Sequence, residues 1–130
     1  MRKRDGFGVA KNLSSYAFDG ANYDVDPPVI DLIQATHLAG KPQGFMCIAP
    51  ILAARALGEQ HVKLTIGNDA TTVTAIEAKG AHHFDCPVDT IVVDQSNRVV
   101  STPAYMLAQS IAEAERGIIQ LVEAVLNMRL

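Results

Sequence analysis

The chain has 130 residues, enough for one domain with its own core. Apolar residues make up 48% of it and charged residues 19%, which excludes an intrinsically disordered chain. The net charge is −3 with no long basic block, which gives no case for nucleic acid, and no apolar run approaches the roughly 18 residues of a membrane span.

The opening MRKRD is basic but is not followed by the apolar stretch of a secretory signal, so the cytoplasm is the expected compartment. DGFGVAKNLSSYA then reads as a Gly-rich turn leading into a short, weakly helical stretch. After a polar loop, Asp26 is placed to cap a helix whose first turn holds Pro27 and Pro28, where missing N–H groups cost nothing. Val29, Ile30, Ile33, His37 and Leu38 lie near one face of that helix, and Gly40 closes it.

QGFMC reads as a short buried strand, APILAARALG as the helix after it, and HVKLTIG as a second strand. ATTVTAIEAKG predicts a short helix ending at Gly80. The segment from Ala81 to Pro103 reads as antiparallel pieces, with TIVVD and RVVST flanking a polar turn at Gln95–Asn97. Thr102 and Pro103 are expected to start the last helical region, which Gly117 divides in two. Strands alternating with helices predict an α/β fold with a mainly parallel sheet.

Cys47 stands where the first strong strand meets its helix. A strand–nucleophile–helix turn holds its central residue in a strained backbone and projects the side chain at the carboxyl edge of the sheet. Small neighbours suit the crowding, and Gly44 and Ala49 provide them, while Pro50 fits the first helical turn. Open N–H groups at a helix start favour a thiolate, and the Ile48 N–H is placed to donate to an oxyanion. Against this stands a buried structural cysteine, since the second Gly of G-x-S-x-G is absent.

Cys86 reads as a buried thiol, because two cysteines make no disulfide framework. His82 to Cys86, HHFDC, lacks the further ligand pair that a closed zinc site needs, so no metal is expected. Asp69 is a candidate acid or base on paper, against the reading of a helix N-terminal cap. Met46, Met106 and Met128 read as core fillers, and Tyr105 as a pocket or rim residue.

GFGVAKNLS, GKPQGFMCIAP, LTIGND, CPVDTIVVD and STPAYMLAQSIAEAERGI together resemble the ElbB family of isoprenoid-biosynthesis glyoxalases, within the PfpI and class I glutamine amidotransferase-like superfamily. The resemblance runs from about Gly6 to the C-terminus. It implies a flavodoxin-like three-layer α/β/α sandwich, usually dimeric, that turns glyoxal into glycolate without a cofactor or removes early glycation adducts. It further implies Cys47 as nucleophile and the N–H groups of Gly6 and Ile48 as oxyanion donors. Where the family carries an apolar strand and a preceding half of the fold, with an acidic residue beside the cysteine, this sequence reads MRKRDG. The expectation is one domain over residues 1–130, resembling an N-terminally truncated member. The competing expectations are a non-catalytic remnant and a thiol sensor of oxidants or electrophiles.

Overall fold

A computed structural model describes residues 13–128. Helix α1 (Tyr16–Asp19) runs into a 3-10 turn at Gly20–Asn22, and α2 (Pro27–Leu38) follows with prolines in its first turn. Strand β1 (Gln43–Met46) leads into α3 (Pro50–Leu57), and β2 (Lys63–Leu64) into α4 (Ala70–Ala78). Strands β3 (His82–His83), β4 (Val92–Asp94) and β5 (Val99–Thr102) precede the long helix α5 (Ile111–Met128).

The strands form two small sheets, ordered β1-β5-β4 and β2-β3. β1 runs parallel to β5, with Phe45 opposite Ser101, and the β4–β5 hairpin sets Val93 opposite Val100. Alternation along β1 gives the layers. Phe45 points into a core shared with Ile33 of α2, Ile51 of α3 and Ile76 of α4. Gly44 points the other way, where an added Cβ would lie 2.7 Å from Leu121 of α5. Helices therefore cover both faces, the three-layer α/β arrangement expected from the sequence. Gly44 is small because α5 lies over the strand, rather than because the turn is crowded.

Side chains join the two sheets. The Lys63 N–H donates to Asp94 Oδ2 at 2.8 Å, and the Thr65 N–H donates to Ser101 Oγ at 2.9 Å. Asp94 also accepts from the Asn97 N–H and the Asn97 side-chain amide, at 3.0 and 2.9 Å.

Two expectations need correction. The His82–His83 segment is no antiparallel piece: it pairs parallel with β2, Lys63 opposite His82. Gly117 does not divide the last helix, which runs unbroken from Ile111 to Met128. Glycine is required there because a Cβ would fall 2.6 Å from the Val88 carbonyl oxygen and 2.7 Å from Thr102 Oγ1. The real interruption lies earlier, where Pro103 begins only a 3-10 turn, Ala104–Met106.

Candidate active site

Cys47 has a φ of +61°, in the left-handed region, between the end of β1 and the start of α3. A non-glycine residue holds that conformation only where its surroundings fix it. Here the Cys47 N–H donates to the Thr102 carbonyl at 3.1 Å, and the Ala49 N–H closes a turn on the Met46 carbonyl at 3.0 Å. The strained elbow expected from the sequence is present. The amides that follow are less open than expected. Pro50 has no N–H, and those of Ile51 and Leu52 donate to the Ile48 and Ala49 carbonyls at 3.1 and 2.8 Å. Tight turns at the start of α3 thus take up donors that a regular helix would leave to a ligand.

The elbow opens on a largely apolar cavity of about 550 Å³, walled by Tyr16, Ala17, Cys47, Ile48, Thr71 and Met106. The cavity lies within the size range of small-molecule sites. Tyr16 comes from α1, and its ring meets Tyr23 edge to face at 5.5 Å. Its hydroxyl is 2.8 Å from Thr72 Oγ1, which donates to Asp69 Oδ2 at 2.7 Å.

Asp69 is the N-cap of α4 and also accepts the Thr72 N–H at 3.1 Å. The Thr72 hydroxyl first and its N–H second hold the Asp69 carboxyl below its ordinary range. A carboxylate so held is a poor proton acceptor near neutral pH. Gly6 lies outside the described residues. Tyr105 is 59% exposed, and its neighbour Met106 lines the cavity instead. Tyr16 and Thr71 escaped the sequence reading. The only signal for Tyr16 was an aromatic residue opening a weak four-residue helix, which says nothing of a partner 56 positions away.

His83 and Cys86 of the HHFDC segment are engaged by neighbouring groups. Among the described residues no group of three or more His, Cys, Asp or Glu side chains is placed to hold a metal. Buried Cys86 lies 2.7 Å from Thr90 Oγ1, and burial pushes its thiol pKa up. His83 accepts the Ile66 N–H on Nε2 at 3.1 Å, so its proton sits on Nδ1, 3.5 Å from Asp85 Oδ1. Burial lowers the pKa of His83 below the ordinary 6.5, against Asp85 and Glu77. The unfolded chain therefore binds this proton more readily, and folding stability falls as pH drops below about 6.5. Urea titrations from pH 7.5 to 5 should show a loss approaching about 1.4 kcal/mol per pH unit at most. His83→Gln, which keeps an acceptor but cannot titrate, should flatten that slope; an unchanged slope would assign it elsewhere.

The described residues thus form an α/β sandwich with a strained cysteine elbow at the carboxyl end of β1. No protein-family model matches the chain. A human protein, glutamine amidotransferase-like class 1 domain-containing protein 3, mitochondrial, is 41% identical over 132 residues, spanning 95% of this chain and 48% of the human one. The mitochondrial ES1 protein homolog of Rattus norvegicus is 39% identical, over 95% of this chain and 49% of its own. A crystal structure of an isoprenoid biosynthesis protein with an amidotransferase-like domain, from Ehrlichia chaffeensis, superposes with a TM-score of 0.79 at 34% identity, over 93% of this chain and 55% of that one. These likenesses support a class I glutamine amidotransferase-like domain, to which the chain is similar over nearly its whole length. The chain spans about half the length of the curated relatives it matches. Among the described residues no helix is long and apolar enough to cross a membrane, and the human and rat relatives are mitochondrial by name.

Proposed function

We propose that Cys47 is the nucleophile of a glyoxalase-like enzyme of the ElbB type, acting on small dicarbonyls such as glyoxal in a reducing compartment and associated with isoprenoid biosynthesis. The observation that carries this reading is Cys47 at φ +61° on the wall of an apolar cavity. The Cys47 sulfur adds to one aldehyde carbon, the C=O π bond opens, and the carbonyl oxygen takes the thiol proton to give a hemithioacetal. Transfer of hydrogen from the adduct carbon to its neighbour gives the thioester of glycolate. Water then releases glycolate and the thiol. Ile48, next in the chain and also on the cavity wall, is the residue whose N–H we assign to the developing oxyanion, with Gly6 as its partner. The described cavity wall supplies the Cys47 thiol, and this supports the first step, the addition.

The test is peptide mass spectrometry on the full chain. Cys47 should react with a small thiol reagent at pH 7 at least about tenfold faster than Cys86, which is buried and holds its proton. Glyoxal should give glycolate, and Cys47→Ala should abolish it. Glycolate formation undiminished in Cys47→Ala would overturn the reading. A stoichiometric Cys47 adduct without glycolate would make the site an electrophile trap instead.

A further inference from the structure

The hydrogen-bond chain from Asp69 to Tyr16 fixes more than a helix cap. Asp69 Oδ2 receives both the Thr72 N–H and the Thr72 hydroxyl, at 3.1 and 2.7 Å, as an ionised carboxylate does. Thr72 has one hydroxyl proton, and Asp69 takes it. The remaining capacity of Thr72 Oγ1 is to accept. The 2.8 Å contact with Tyr16 is therefore a bond in which the phenol donates. Tyr16 thus has its own proton committed to Thr72, and its oxygen keeps only lone pairs to offer. Thr71, the residue before Thr72, shares the cavity wall with Tyr16 and Cys47, which sets this end of the chain beside the elbow.

We propose that Tyr16 is the positioning residue of the Cys47 cavity, an obligate acceptor that binds the hydroxyl created when the thiol adds to an aldehyde. A naked aldehyde carbonyl has no proton to give, so Tyr16 gains nothing from it. Addition of the Cys47 thiol forms the S–C bond, opens the C=O π bond and moves the thiol proton to the oxygen. The product carries a new O–H donor within the same cavity as the acceptor. Asp69 acts here through Thr72 and Tyr16, by fixing which way the protons point, and not as a base. The inference rests on Cys47 being the nucleophile, as proposed above.

The experiment separates adduct binding from access to the thiol. Methyl methanethiosulfonate labels a thiol by disulfide exchange and brings no hydrogen-bond donor. Its rate at Cys47, read on the full chain by peptide mass spectrometry, reports an intact elbow. The glyoxal concentration that halves this rate reports the adduct. Tyr16→Phe keeps the ring that meets Tyr23 edge to face and removes only the oxygen. The variant should need roughly three- to tenfold more glyoxal for half protection, the worth of one neutral hydrogen bond, with its labelling rate unchanged in the absence of glyoxal. Equal protection in wild type and Tyr16→Phe would overturn the proposal. So would a fall in the labelling rate without glyoxal, because the phenol would then shape the cavity rather than hold the adduct. If glyoxal fails to protect Cys47 even in the wild type, the nucleophile reading itself is wrong and this inference falls with it.

Discussion

Gly58→Ala should destabilise the protein by about 3–5 kcal/mol, the range of severe overpacking against backbone. Gly58 follows α3 with a φ of −60°, so alanine is conformationally welcome there. The obstacle is space: a Cβ on Gly58 would lie within 2 Å of the Lys79 carbonyl oxygen, nearer than any atom pair tolerates. The contact is reciprocal, since a Cβ on Gly80 would fall 2.7 Å from the Gly58 carbonyl oxygen. His61 Nδ1, 3.0 Å from the Gly80 carbonyl, ties the crossing on its third side. Both obstacles are main chain, which cannot swing aside like the end of a long side chain. Thermal unfolding should show a fall on the order of 10–20 °C for a domain of this size. Gly40→Ala is the control. It has a φ of +73° with open space around it, so it should cost only about 1–2 kcal/mol. A Gly58→Ala protein as stable as Gly40→Ala would mean that the two chain segments do not cross so closely.

Asp94→Ala should cost about 3 kcal/mol at pH 7, because it leaves three N–H donors at the sheet junction without their acceptor. Asp94 is only 3% exposed. Burial alone would raise its pKa, but the bonds from the Asn97 side chain and from the Lys63 and Asn97 backbone outweigh it, and the carboxyl is held below its ordinary 3.8. The sign follows from linkage. The stabilisation is fully present above the unfolded value near 3.8 and disappears as pH falls through the lower, folded one. Urea unfolding at pH 7 and pH 3 should therefore show the gap between wild type and Asp94→Ala narrowing in acid. This window lies below that of His83, so the two groups can be separated. A gap of equal size at both pH values would assign the stabilisation to packing rather than to the carboxylate.

The elbow was legible because its signals are local. Pro50 and the Ala-rich run after Cys47 define a helix start, and the apolar stretch before it defines a strand. The hairpin at Gln95–Asn97 was legible for the same reason, and β4 and β5 do pair antiparallel across it. What failed was non-local. β3 is two residues long, and its parallel partner lies 19 positions earlier, so no pattern within the segment identifies it. Gly117 reads as a helix breaker until Val88 is seen to pass against it. The true start of α5 was written in the chain and passed over. Ser110 accepts the Glu113 N–H, and Glu113 reaches back to the Gln109 N–H at 2.7 Å, a near capping box in SIAE. Asp69 was read correctly as a cap, but its connection through Thr72 to Tyr16 spans 56 positions from Thr72 and leaves no trace in local sequence.

The superfamily likeness and the site geometry bear on different questions. The likeness fixes the architecture over nearly all of this chain and about half of its relatives. The proposed chemistry rests on the backbone of Cys47 and the walls around it.

The junction between the two sheets has a consequence for inheritance. A main-chain ladder is indifferent to spelling, because every residue except proline brings the same donor and acceptor. At Lys63 and Thr65 the acceptors are instead the carboxylate of Asp94 and the hydroxyl of Ser101. The joint is therefore encoded in two letters rather than in the polymer. A single codon change at either position can remove an acceptor that a main-chain ladder would have kept.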